Sequence, residues 1–114
     1  MQHDISKLCY DILQGIEDIR NFTAGLDFDN YQQSRIVKLA VEPNYEIIGE
    51  ALRRMQARFE AESTRVTDGR KIIDFRNLLA HAYDGIADEI VWPITTSDLN
   101  ILESDIQRIL KENE

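Results

Sequence analysis

Apolar residues recur at spacings of three and four along most of this chain, and nowhere alternate with period two long enough to make a convincing strand. Ile5, Leu8, Cys9, Ile12, Ile16, Ile19 and Phe22 trace one stripe of an amphipathic helix over roughly 4–24. Gly25 and the polar cluster at 27–30 end it, with Asp29 or Asn30 the expected cap of the next helix. A second pattern runs through Ile36, Val37, Ala40, Ile47, Ile48, Ala51, Leu52 and Met55, and Pro43 interrupts it. A proline there removes the bond to the Leu39 carbonyl and biases Glu42 away from helix, at about 3 kcal/mol in a helix interior. The apolar phase nearly agrees on the two sides, so a kink is expected rather than two separate helices.

The polar stretch 60–69 contains Thr67-Asp68-Gly69 and reads as a loop. A third helix is expected over 70–83, closed by Asp84-Gly85. Ile90, Val91 and Trp92 read as a short apolar turn that Pro93 ends, with Trp92 in core or interface packing. Thr96 or Ser97 then caps a last helix whose Leu99, Leu102, Ile106, Ile109 and Leu110 face inward. The expected fold is an all-α bundle of four to five helices, a single domain over residues 1–114.

A chain of 114 residues can bury roughly two-thirds of the surface its unfolded form exposes. Asp4, Lys7, Asp11, Glu17, Asp18 and Arg20 break up the first twenty residues, which leaves no apolar run fit for a signal peptide or a membrane span. Cys9 is alone, so no intrachain disulfide is possible, and the reducing cytoplasm is the expected location. His3, His81 and Cys9 are too few soft ligands for a structural zinc, and neither a metal nor a cofactor is expected.

Net charge is −8, which by itself argues against a nucleic-acid partner. The distribution says more. Residues 53–76 hold Arg53, Arg54, Arg58, Arg65, Arg70, Lys71 and Arg76 against Glu60, Glu62, Asp68 and Asp74, while both flanking regions are strongly acidic. This basic stretch leads straight into Arg76-Asn77-Leu78-Leu79-Ala80-His81-Ala82-Tyr83.

At about 100° per residue, Leu78, Ala82, Phe75 and Leu79 fall on one arc of such a helix. Arg76, Asn77, Ala80, His81, Tyr83 and Asp84 fall on the other. Asn77 and His81 are an i,i+4 pair, so the amide can orient the ring. Ala80 leaves room between Arg76 and His81. Such a face suits RNA phosphodiester cleavage. Histidine titrates near neutrality and can take the proton of a ribose 2′-hydroxyl or give one to the leaving oxygen. Arginine stays charged and offers a planar fork to the non-bridging oxygens, where charge builds in the transition state. No metal is needed when the 2′-hydroxyl is the nucleophile. One imidazole then serves as acid and base in turn, or a twofold dimer supplies one histidine for each role.

The pattern Arg-x4-His-x-Tyr at Arg76, His81 and Tyr83 resembles the signature of the HepT-like branch of the HEPN superfamily. Ile47-Ile48-Gly49-Glu50-Ala51 is similar to that family's Gly-Glu-Ala segment, and Ile90-Val91-Trp92-Pro93 before a final helix also fits. The resemblance covers the whole chain. It implies a metal-independent endoribonuclease toxin, active as a homodimer with its site where two motif helices meet. It also implies a cognate MntA-type nucleotidyltransferase antitoxin that transfers AMP to the motif tyrosine, here Tyr83. Adenylylation would add bulk and negative charge beside the phosphate site and so repel RNA.

Arg76 and His81 are thus the expected catalytic pair, with Asn77 in a supporting place. Glu50 is expected in a buried ion pair with an arginine of the third helix, or else tuning His81. Arg65, Arg70 and Lys71 are candidate RNA-backbone contacts. A competing reading makes the chain a catalytically silent HEPN module that binds a nucleotidyltransferase partner or a nucleotide. A purely structural bundle is a third, and it does not explain why the polar arc lacks Lys and Glu.

Overall fold

The computed structural model describes residues 2–67, Ile73 and 86–114. Among these the chain is all-α, as the three-and-four spacing requires. Helix α1 (Gln2–Thr23) buries Ile5, Leu8, Cys9, Ile12, Ile16 and Ile19, the stripe visible in the sequence. Phe22 stands half exposed at its end. There the Thr23 hydroxyl donates to the Ile19 carbonyl at 2.8 Å, and Gly25 turns the chain at φ +76°, a left-handed conformation that suits glycine.

The next cap is not the expected one. Asp27 caps the short helix α2 (Phe28–Gln33), its Oδ1 accepting from the Asn30 N–H at 2.8 Å. Ser34 then caps the long helix α3 (Arg35–Arg58), its Oγ accepting from the Val37 N–H at 3.2 Å. Asp29 and Asn30 fall inside α2 instead. A two-residue offset is enough to add this turn, because each cap only has to satisfy the free N–H groups of the turn it precedes.

Helix α3 runs unbroken through Pro43, with Asn44 donating a side-chain bond to the Ala40 carbonyl at 2.9 Å in the turn that the proline loosens. Its buried face is Val41, Tyr45, Ile48, Ala51, Leu52 and Met55. Ile36 and Ile47, expected to face inward, are 82% and 50% exposed. Tyr45 takes the inward register because its hydroxyl finds a partner in the core, Thr95 Oγ1 at 2.5 Å. Helices α1 and α3 approach closely at Gly15, where a Cβ would lie 2.9 Å from Ile48 Cγ1.

After the single-turn helix α4 (Glu60–Ser63), the turn at 64–67 docks on the last helix. There the Thr67 N–H donates to the buried Asp105 carboxylate at 2.8 Å, and Val66 enters the core. The expected loop at 60–69 therefore begins with a helical turn, and its last two residues lie outside the described part. The third helix expected at 70–83 also lies outside, apart from Ile73, which is helical and buried in the core.

Helix α5 (Ile86–Pro93) does not stop at its proline. A π-helical turn (Ile94–Asp98) carries the chain directly into α6 (Leu99–Glu112). Pro93 has no N–H for the Glu89 carbonyl, and a wider turn accommodates that loss. Thr96 does not cap the last helix: its hydroxyl donates to the Trp92 carbonyl at 2.9 Å, as that of Thr95 does to Val91. Leu99, Leu102, Ile106, Ile109 and Leu110 are buried, the inward face that the sequence marks. Arg20 ties α1 to α6 through Glu103 at 2.8 Å and Asn100 at 2.5 Å. Among the described residues, no helix is long and apolar enough to cross a membrane.

Candidate functional site

Of the expected site residues, Arg76, Asn77, His81 and Tyr83 lie outside the described residues, as do Arg70 and Lys71. What is described is the ground on either side of them. Ile73 is fixed in the core three residues before Arg76, and α5 begins at Ile86, three residues after Tyr83.

Glu50 lies on α3 with its side chain 30% exposed. Arg53 grips it in a fork, Nη2 to Oε2 at 2.6 Å and Nε to Oε1 at 3.1 Å, and Arg54 Nε reaches Oε2 at 3.1 Å. These partners come from Glu50's own helix, three and four residues on, and the pair sits at a surface rather than in the core. The Glu50 carboxylate, by hydrogen bond and by charge, raises the Arg53 guanidinium further above its ordinary value. Glu50 and Arg54 stand at the rim of an open groove of about 450 Å³ between α1 and α3, whose floor includes Leu8, Pro43, Ile47 and Ala51.

Arg65 is half exposed and paired with Glu112 of α6. Arg58 pairs with Asp4 of α1 at 2.7 Å. The described arginines of the basic stretch, Arg53, Arg54, Arg58 and Arg65, thus each hold a carboxylate. An RNA phosphate binding at Arg65 would share its guanidinium with Glu112 or compete with it.

A polar cluster that the sequence did not single out lies where α2, α3 and α5 meet. Lys38 Nζ of α3 bonds Asp88 Oδ2 of α5 at 2.7 Å, and Asp88 is only 3% exposed. Glu42, one turn along α3, has its carboxyl pushed up from the ordinary value by burial first and by the Asp88 charge second. Tyr31 of α2 is fully buried, its phenol likewise raised by burial, then by Asp88 and Glu42. Its hydroxyl has no hydrogen-bond partner among the described residues. Its ring lies against Trp92 with centroids 5.1 Å apart. Lys38 and Asp88 are fifty positions apart, so no local spacing could have paired them. Cys9, also buried, has its thiol pushed up to about 11 by desolvation, which leaves it a poor nucleophile.

The whole chain has clear relatives. A family model described as "Ribonuclease HepT-like" matches residues 12–109, a span that includes the 76–83 motif. "Putative RNase MJ0127" of Methanocaldococcus jannaschii is 31% identical over 111 residues, covering 97% of this chain and 91% of that protein. "Putative RNase MJ1380" of the same organism is 28% identical over 106 residues, covering 93% and 96%. "Probable ribonuclease HepT" of Thermococcus cleftensis is 28% identical over 101 residues, covering 89% and 91%. No solved structure matches.

Proposed function

The chain belongs to the ribonuclease HepT-like family and is an endoribonuclease, and from that premise we propose that Arg76 and His81 carry its chemistry. The observation behind this reading is that the span of the family match includes Arg-x4-His-x-Tyr, the part of the chain where arginine, imidazole and phenol are closest in sequence. In the proposed reaction His81 takes the proton from a ribose 2′-hydroxyl as that oxygen attacks the adjacent phosphorus. The bond from phosphorus to the 5′-oxygen breaks, and that oxygen receives a proton from an imidazolium. The products are a 2′,3′-cyclic phosphate and a 5′-hydroxyl. Arg76 binds the non-bridging oxygens, where charge accumulates. Asn77 orients His81, and Glu50 supports the site through the arginines it holds. Arg65, Arg70 and Lys71 contact the RNA backbone.

Two copies of His81 acting at once require two chains, and the enzyme is proposed to work as a homodimer. Helix α3 supports this, because Ile36, Leu39 (61% exposed) and Ile47 lie on one side of it with Pro43 between them. An apolar stripe of that length on a chain with so much charge marks an interaction surface. The reading extends to a cytoplasmic toxin held in check by an MntA-type nucleotidyltransferase that adenylylates Tyr83. This extension rests on the motif resemblance.

The test is cleavage of RNA in EDTA by protein expressed alone, wild type beside His81→Ala. Cleavage that disappears in the variant is the expected result. If neither protein cuts and intact mass shows Tyr83 unmodified, the silent binding module replaces the ribonuclease reading. Incubation with the nucleotidyltransferase and ATP should add the mass of AMP to wild type but not to Tyr83→Phe.

A further inference from the structure

Glu112 is a carboxylate placed against the interest of its own helix. It is the last residue of α6, where the helix dipole is negative and favours a cation such as Lys111 beside it. The other carboxylates that hold described arginines of the basic stretch have local reasons for their positions. Asp4, which holds Arg58, lies in the first turn of α1, where negative charge is favoured. Glu50 is held by arginines three and four residues on along its own helix, the ordinary spacing of a helical ion pair. Glu112 instead pairs with Arg65, forty-seven residues earlier.

Nor is the pair needed to dock the turn that carries Arg65. Val66 is buried in the core, and the Thr67 N–H donates to the Asp105 carboxylate at 2.8 Å. The N–H groups of Thr64, Arg65 and Val66 donate to the carbonyls of Glu60, Glu62 and Ser63 at 3.1, 3.0 and 3.1 Å. The side chains of Arg65 and Glu112 are 42% and 48% exposed, and an ion pair so open to water adds little to stability. What the contact does is occupy a guanidinium. That planar fork meets a carboxylate and a phosphate in the same way, so Glu112 takes donors that the non-bridging oxygens of a phosphodiester would use. A phosphate arriving beside Glu112 also meets a second anion, and is relieved of it only when that half-exposed side chain swings into solvent.

We propose that Glu112 is an intramolecular competitor for RNA at Arg65, an autoinhibitory contact that lowers the affinity of the fold for the nucleic-acid backbone. The inference rests on the reading of Arg65 as an RNA-backbone contact. Its size follows from the exposure of the pair. Apparent affinity falls by the fraction of time that Arg65 is open, and the weak coupling of a surface pair makes that a factor of about two to six.

Four full chains are to be titrated against one fluorescent 2′-O-methyl RNA oligonucleotide, whose blocked 2′-oxygen cannot attack: wild type, E112Q, R65Q and R65Q/E112Q. At low salt E112Q should bind about two- to sixfold tighter than wild type, and R65Q weaker. In the R65Q background E112Q should change little, because the group competed for is gone. The gain in E112Q should shrink as salt rises. All four chains should melt within a few degrees of one another, so that folding does not enter the comparison. An E112Q chain that binds no tighter than wild type would overturn the proposal, as would an R65Q chain that binds no more weakly. Equal tightening by E112Q in both backgrounds would also overturn it, since Glu112 would then act as general negative charge and not at Arg65. Wild type is assayed in parallel for cleavage of the unmodified oligonucleotide. If it cuts while the four titrations show no coupling, this inference falls alone; if it neither binds nor cuts, the ribonuclease reading falls and takes the inference with it.

Discussion

Helix α3 makes two joints of opposite kind. Against α1 its buried contact is dry: Ile48 presses on Gly15 and the buried side chains there are apolar, with the exposed Arg58–Asp4 pair outside them. Against α5 it is ionic: Lys38 meets a carboxylate that is almost wholly buried. The dry joint draws its strength from area, is non-directional, and is limited by how closely two backbones can approach. The ionic joint contributes little net stability when intact and costs a great deal when half of it is removed. One joint holds the bundle together, and the other fixes a register.

The largest effect should follow from breaking the ionic joint on one side only. Lys38→Met leaves Asp88 charged and unpaired in the interior, and is expected to cost about 3 kcal/mol or more in urea unfolding. Adding Asp88→Leu should recover most of that loss. A single variant as stable as wild type would mean that water reaches Asp88, and the contrast between the joints would collapse.

Next comes the dry joint. Gly15→Ala gains helix propensity of about 1 kcal/mol, yet its Cβ would sit 2.9 Å from Ile48 Cγ1, so that side chain or the helix must move. Overpacking of this kind costs about 1–3 kcal/mol, and the expected net is a loss of about 1 kcal/mol. Pairing it with Ile48→Val, which frees space at the contact, should return part of the loss. A stabilised Gly15→Ala would show that the seam has slack.

How legible each joint was in the sequence follows the same division. The stripes on α1 and α6 could be read because burial there is periodic and local: Ile5 through Ile19 and Leu99 through Leu110 face inward as their spacing requires. On α3 the spacing misled at Ile36 and Ile47, because apolar residues occupy both sides of that helix. A tyrosine bonded to Thr95 takes the core position instead. Pro93 also misled, since a proline read as a stop is here the last residue of α5, and a π-helical turn carries the chain onward. The Lys38–Asp88 bond and the Tyr31–Trp92 ring contact left no trace, being contacts across fifty residues or more. As for the candidate site, the sequence supplied Arg76, His81 and Tyr83 as a pattern. For Glu50 it supplied an ion pair, though not its placement at the surface nor Arg53 and Arg54 as partners; the third-helix arginine expected beside it lies outside the described residues.

A smaller effect should come from Glu42, beside the ionic joint. Its carboxyl is raised by burial and by Asp88, so the folded state favours the protonated form more than the unfolded state does. Above both values the folded protein carries that penalty in full, and it fades as pH falls through the raised value toward the ordinary 4.5. Glu42→Gln should therefore melt slightly above wild type at pH 7, with the gap closing as the pH approaches 4. A gap that widens on acidification would reverse the sign and remove Asp88 as a cause.

The smallest stability change should be at Glu50, and that is what makes it informative. Its pairs with Arg53 and Arg54 are local and half exposed, of a kind worth about 0.5 kcal/mol each or less. Glu50→Gln keeps the size and one acceptor while removing the charge, and should leave the melting temperature almost unchanged. Any large fall in RNA cleavage then cannot be blamed on folding. It would mean that the carboxylate works through the arginines it orients, and the loss should be greatest at low salt, where those charges are least screened. Wild-type turnover in Glu50→Gln would instead make the cluster a solvated helix face.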